Sequence, residues 1–170
     1  MSKHILIKDI FEDKIQKQTY TELCFEETSK KSMIVSSKTN FKYDDVCNSL
    51  KTSDTIFLFD KQIDFVEFKD VNSDRLGNRK FISELRLKVI ESYVTLYNFL
   101  NDNSLEISKD ELSELTLNYY FVFNREKLLS KPTLLNAFSA LQGKWTKHYS
   151  RFYKNISFMD NETFIKKYKI

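Results

Sequence analysis

The chain has 170 residues and a net charge of +3, with 41% apolar and 30% charged side chains but only two glycines and one proline. That length suits one domain able to bury a full core, and the scarcity of Gly and Pro excludes a loop-rich sandwich or a disordered linker protein. The mild positive charge permits nucleic-acid binding without demanding it, because phosphate affinity depends on where the cations lie.

The first residues lack a signal peptide's apolar segment and small-residue cleavage site. Cys24 and Cys47 are isolated, so reduced thiols in a cytoplasmic protein are expected. No apolar run approaches the roughly twenty residues of a membrane span, so no membrane partner is expected.

Along the chain, Ile10, Phe11, Ile15, Thr19, Leu23 and Cys24 recur at three- and four-residue steps and predict a helix over 9–27. Met33, Ile34 and Val35 mark a first strand within 31–38, followed by a polar stretch to Ser53. The runs 54–60 and 63–70 are rich in Phe, Ile and Val around a polar turn, which predicts paired strands. Residues 72–78 read as a loop holding Ser73, Asp74 and Gly77. A long helix follows over 79–101, with Ile82, Leu85, Val89, Tyr93, Leu96 and Leu100 as its buried stripe.

Ser108 and Glu111 form a capping-box signature for a short helix. Leu117–Asn124 predicts a further strand, Pro132 opens a helix over 132–142 that Gly143 ends or bends, and a short helix is expected near 161–168. The predicted class is α/β (α+β): a mixed central sheet flanked by helices, in a single domain over 1–170. Its core spans about 9–125, and a helical and aromatic extension covers about 126–170.

The 54–70 hairpin carries the most specific chemistry. Glu67 and Lys69 alternate onto one strand face. With Lys61-Gln62 as the turn, Asp54 lies opposite Lys69; with Asp60-Lys61 as the turn, it lies opposite Glu67. Either register gathers Asp54, Glu67 and Lys69 on one face, with opposite Cβ atoms roughly 4.5–5.5 Å apart. A three-residue loop without a bulge would place Asp54 with Phe68 instead. Two neighbouring carboxylates call for a cation between them, and hard oxygens favour Mg²⁺ or Mn²⁺. His4 and His148 are not in a paired spacing, so a His-rich zinc site is not expected.

On Asp54 and the Glu67-Phe68-Lys69 triplet, within a helix–three-strand–helix–strand order over about 9–125, the chain resembles the PD-(D/E)XK nuclease superfamily. The resemblance implies a restriction-endonuclease-like αβββαβ core and a metal-dependent nuclease acting on DNA, with RNA second. Asp54 and Glu67 would be metal ligands and Lys69 the catalytic lysine. Glu22, with Glu26 one turn on, would be the acidic residue of the first helix; Glu84, Arg86 and Lys88 would be polar contributions from the helix after the motif, with Arg86 and Lys88 as candidate nucleic-acid contacts. Ser53 stands where the family's name pattern has proline. Small nucleases of this kind often cut both strands as a homodimer.

Near the end, Lys144, Lys147, Arg151 and Lys154 step by three and four and share one face if helical, a candidate track for a phosphate backbone. Trp145, Tyr149 and Phe152 then form its buried side, and Tyr119, Tyr120, Phe121 and Phe123 are strand core. Against the catalytic reading stands a cross-strand Asp54–Lys69 surface pair on a catalytically inactive module that binds protein or nucleic acid as a regulator or inhibitor.

Overall fold

Six strands form the central sheet of the computed structural model, which describes residues 3–27, 29–70, 78–130 and 132–170. α1 (Lys3–Lys14) leads to β1 (Lys17–Thr19), α2 (Tyr20–Leu23) and a small separate hairpin of β2 (Phe25–Glu26) and β3 (Lys31–Ser32). β4 (Thr39–Lys42), a 3₁₀ turn at Tyr43–Val46, β5 (Thr55–Phe59) and β6 (Gln62–Lys69) come next. Then follow α3 (Arg79–Asp102), α4 (Lys109–Ser113), β7 (Thr116–Phe123), α5 (Arg125–Leu129), α6 (Pro132–His148), β8 (Asn155–Asp160) and α7 (Asn161–Tyr168).

The sheet order is β1-β4-β5-β6-β7-β8. Strands β1 to β6 pair antiparallel, while β7 runs parallel to both β6 and β8. A parallel neighbour needs a long crossover, and α3 supplies it between β6 and β7. The mixed sheet with flanking helices is the class predicted from sequence.

The two sheet faces differ in size. One carries Ile56, Ile63, Phe65, Tyr119, Phe121, Phe123 and Ile156, packed against Ile7 and Phe11 of α1, the α3 stripe, and Phe138 and Trp145 of α6. On α3, Leu85, Val89, Leu96 and Leu100 are essentially inaccessible, and each such burial is worth about 1.5–3 kcal/mol. The smaller face packs Val66, Phe68, Tyr120 and Val122 against α2 and Phe164 of α7. Among the described residues, no helix is long and apolar enough to cross a membrane.

Several expectations need correction. The helix predicted over 9–27 ends at Lys14, and Lys17–Thr19 pairs with Thr39–Phe41 as an edge strand. Thr19 caps α2 through a reciprocal box with Glu22, so the apolar period continues while the backbone does not. The strand expected within 31–38 shrinks to Lys31–Ser32 outside the main sheet, with Val35 exposed. The first strand of the central meander is instead Thr39–Lys42, within the stretch read as polar.

The helix predicted over 132–142 runs on to His148 through Gly143 and ends before Arg151 and Lys154, so the four basic residues do not share one helical face. Phe152 is 39% exposed, and Tyr153 takes its place in the core. Within the extension, β8 forms the sheet edge beside β7. The loop predicted at 72–78 lies outside the described residues except for Asn78, whose side chain caps α3.

Candidate functional site

The β5–β6 hairpin adopts one of the two registers that unite the predicted residues. Thr55 pairs with Val66 and Phe59 with Gln62, so Asp60 and Lys61 form the turn. Lys61 has φ 83°, as the second central residue of a type II turn requires. Continuing the ladder one step beyond Thr55 brings Asp54 opposite Glu67. There the Asp54 side chain replaces a strand: its Oδ2 accepts the Phe68 N–H at 2.6 Å.

α3 holds this junction in place. The Ser53 N–H donates to Ser92 Oγ at 2.8 Å, the Lys51 N–H to Glu91 Oε2 at 2.5 Å, and the Tyr43 hydroxyl to the Ser92 carbonyl at 2.7 Å. The Tyr43 N–H in turn donates to the Asp54 carbonyl at 3.0 Å. Ser53 is fully buried and is hydrogen-bonded across to the helix.

Glu67 is fully buried, at the end of an apolar row that includes Phe65 and Ile63. Two ammonium groups meet it: Lys69 Nζ lies 2.5 Å and Lys88 Nζ 2.6 Å from Oε1, and Lys88 also donates to Oε2 at 2.7 Å. Lys88 further reaches Asp54 Oδ1 at 3.6 Å. Two carboxyl groups and two ammoniums thus sit together.

Burial alone would raise the Glu67 carboxyl, but Lys69 and Lys88 outweigh it and hold the group below the usual glutamate range. Asp54 goes the other way: burial and the neighbouring Glu67 charge push it up to about 7, against the pull of the two lysines. Burial disfavours the charged forms of Lys69 and Lys88, yet Glu67 and Asp54 more than compensate and raise both.

Lys69 and Lys88 also line a cleft of ≈ 520 Å³, together with Asp44, Cys47, Lys51 and Glu84. Asp44, on the 3₁₀ turn after β4, is an exposed residue whose partial desolvation at the cleft raises its carboxyl, and it senses both Lys88 and Glu67. Cys47 is half-buried at this cleft, unlike the buried Cys24.

The remaining predicted residues lie elsewhere. Glu22 is an exposed capping residue whose carboxylate accepts the Thr19 N–H at 2.8 Å, and these hydrogen bonds, the Thr19 side chain's first, lower its pKa. Glu26, the second candidate, does line the cleft. Arg86 turns to the end of α6, donating from Nε to the Tyr149 hydroxyl at 2.5 Å. Lys144, Lys147, Arg151 and Lys154 are exposed and do not line the cleft. Tyr119, Phe121 and Phe123 are core, as predicted.

Sequence reasoning missed the tethering role of Ser92 and the cleft position of Asp44. The signal for Ser92 is a polar residue on the apolar stripe, three positions after Val89 and four before Leu96.

Among the described residues, no three His, Cys, Asp or Glu side chains cluster closely enough to hold a metal ion by themselves. A hard cation can take two carboxylates and a backbone carbonyl while keeping several waters. On an extended strand the N–H and C=O of one residue face the same edge. The Phe68 carbonyl therefore faces the same sheet edge as its N–H, which meets Asp54 Oδ2. Such oxygen donors suit Mg²⁺ or Mn²⁺ and do not suit a soft metal.

Compared with protein-family models, characterised proteins and solved structures, the chain finds no match.

Proposed function

We propose that the chain is a metal-dependent nuclease that hydrolyses phosphodiester bonds, with DNA as the first substrate class and RNA the second. One observation carries the reading: one step beyond the Thr55–Val66 pair of a two-residue hairpin, Asp54 falls opposite Glu67, with Lys69 ion-paired to Glu67 at the wall of an open cleft. The element order from α1 through the β4–β5–β6 meander, α3 and β7 supports it as an αβββαβ core.

Asp54, Glu67 and the Phe68 carbonyl would hold the divalent cation, which supplies Lewis acidity to a phosphoryl oxygen and acidifies water. Lys69 would place its ammonium beside the attacked phosphate, where it stabilises developing negative charge. Burial of Glu67 beside Phe65 and Phe121 excludes water from one side of the site and strengthens these charge interactions.

A second reading has its own observation. Both Glu67 oxygens are held by ammonium groups, so its buried charge is paired without any ligand. A catalytically inactive module that binds protein or nucleic acid fits that state.

Plasmid and labelled oligonucleotides incubated with Mn²⁺ or Mg²⁺ separate the two. The nuclease reading expects cleavage by the wild type that EDTA abolishes, and a loss of about 10²-fold or more in Lys69→Ala. Equal cleavage by wild type and Lys69→Ala refutes it. Nucleic-acid binding that survives Asp54→Ala, without cleavage by the wild type, establishes the second reading.

A further inference from the structure

The space between the two carboxylates already holds a positive charge. Lys88 Nζ lies 2.6 and 2.7 Å from the two Glu67 oxygens and 3.6 Å from Asp54 Oδ1. Among the described residues, Lys69 is ion-paired to Glu67. A Mg²⁺ ion needs oxygens at about 2.0–2.1 Å. A cation bridging Asp54 and Glu67 and the Lys88 ammonium therefore require the same place.

The buried Glu67 explains why the place is filled. An ionised carboxylate taken fully out of water is stable only when paired, and Lys88 supplies a partner from α3 whenever no cation is present. Lys88 also has somewhere else to go. Its side chain keeps 20% exposure and borders the cleft, where Asp44 and Glu84 share the wall with it. Glu84 precedes Lys88 by four residues on the same helix, the spacing at which Glu and Lys side chains meet. Asp44 and Lys88 already attract one another.

We propose that Lys88 is a built-in counter-ion: it occupies the divalent-cation position in the ion-free protein and moves into the cleft, onto Asp44 and Glu84, when a cation binds. The inference rests on the cation-binding half of the function proposed above and does not require cleavage. No covalent bond changes in this exchange; one cationic partner of Asp54 and Glu67 replaces another. The cation-competent state is then a minor one in the resting protein, and apparent affinity falls in proportion to its population.

Two measurements test the exchange. In the first, Mn²⁺ is titrated calorimetrically into the wild type, Lys88→Met and Lys88→Arg. Lys88→Met retains the bulk of the stem without the charge, and is expected to bind Mn²⁺ about tenfold or more tightly than the wild type, the gain for a competent state populated at about 10%. Lys88→Arg keeps a cation in the gap and is expected to bind no more tightly than the wild type. A folded Lys88→Met with equal or weaker Mn²⁺ affinity overturns the proposal.

The second uses only the wild type, so it decides the matter even if Lys88→Met does not fold. Lysine acetylation is followed by mass spectrometry with and without saturating Mg²⁺, and Lys88 is expected to become severalfold more reactive with the ion. Unchanged Lys88 reactivity overturns the proposal. Cleavage by a wild type whose Lys88→Met variant binds no more tightly removes this inference and leaves the nuclease reading. Tighter Mn²⁺ binding by Lys88→Met without any cleavage by the wild type leaves the inference and removes the nuclease.

Discussion

Replacing Asp54 with asparagine should stabilise the metal-free protein, and by an amount that grows with pH. Burial and the adjacent Glu67 charge raise the Asp54 carboxyl from an ordinary 3.8 to about 7. Below pH 3.8 it is protonated in both folded and unfolded chains and contributes no pH dependence. Between 3.8 and about 7 the unfolded chain gives up a proton that the folded chain keeps, so stability falls as pH rises. Above about 7 the penalty is constant.

At roughly 1.4 kcal/mol per pH unit, that interval sets a ceiling of about 4 kcal/mol. Asp54 titrates together with Glu67, whose shift is opposite in sign, so about half of that ceiling is the working expectation. The amide of Asp54→Asn retains an oxygen to accept the Phe68 N–H and mimics the protonated acid.

Thermal unfolding of wild type and Asp54→Asn in EDTA from about pH 4 to 8 reads the effect directly. A gap in Tm should open in favour of the variant and level off above neutrality. At about 2–4 °C per kcal/mol for a chain of this size, the final gap is about 4–8 °C. A Tm difference that stays constant with pH refutes the electrostatic account of this site, whatever its sign. The same variant should lose the Mn²⁺-dependent cleavage proposed above, since a neutral amide replaces one of the two carboxylates proposed to hold the cation.

Two substitutions away from the site test the backbone description. Lys61→Gly should stabilise the hairpin by about 0.5–1 kcal/mol, because Lys61 holds φ 83° and glycine accepts that region without a Cβ penalty; urea unfolding with no change in midpoint would contradict the turn assignment. Gly143→Ala should add about 0.5–1 kcal/mol, since the position is inside α6 and a new Cβ would meet nothing within 4 Å; a lower midpoint would show that the helix does not continue through residue 143.

The hairpin was legible because side-chain alternation leaves few options: two of the registers weighed place Asp54, Glu67 and Lys69 together, and the one with Asp60-Lys61 at the turn is realised. α3 was legible for the same reason, a strong period over 24 residues. The segment 9–27 was misread beyond Lys14 because periodicity reports which side chains face the core and not whether the backbone is continuous. Ile10, Phe11 and Ile15 contact one core while Leu23 and Cys24 contact the other, so one apparent stripe serves both sides of the sheet. Thr19 and Glu22 carry the same capping pattern as Ser108 and Glu111, and reading it would have broken the helix correctly.

At the site, strand parity reveals which residues share a face but not what crosses from another element. The double engagement of Glu67 by Lys69 and Lys88 depends on how α3 docks, and no local pattern encodes that distance.

The placement of Lys88 on α3 also bears on the order in which the chain folds. β5 and β6 are joined by two residues and can zip up locally within microseconds. β7, the other neighbour of β6, cannot pair until the intervening crossover has been laid down, and such long-range closure is slow. During that interval Glu67 must stay hydrated, because Lys69 is its only cationic partner within the hairpin and a half-neutralised pair of acids resists leaving water. Arrival of α3 brings Lys88, and only then can the end of β6 be dehydrated at little cost. The charge that completes the site is thus also the one that permits the sheet to close around it.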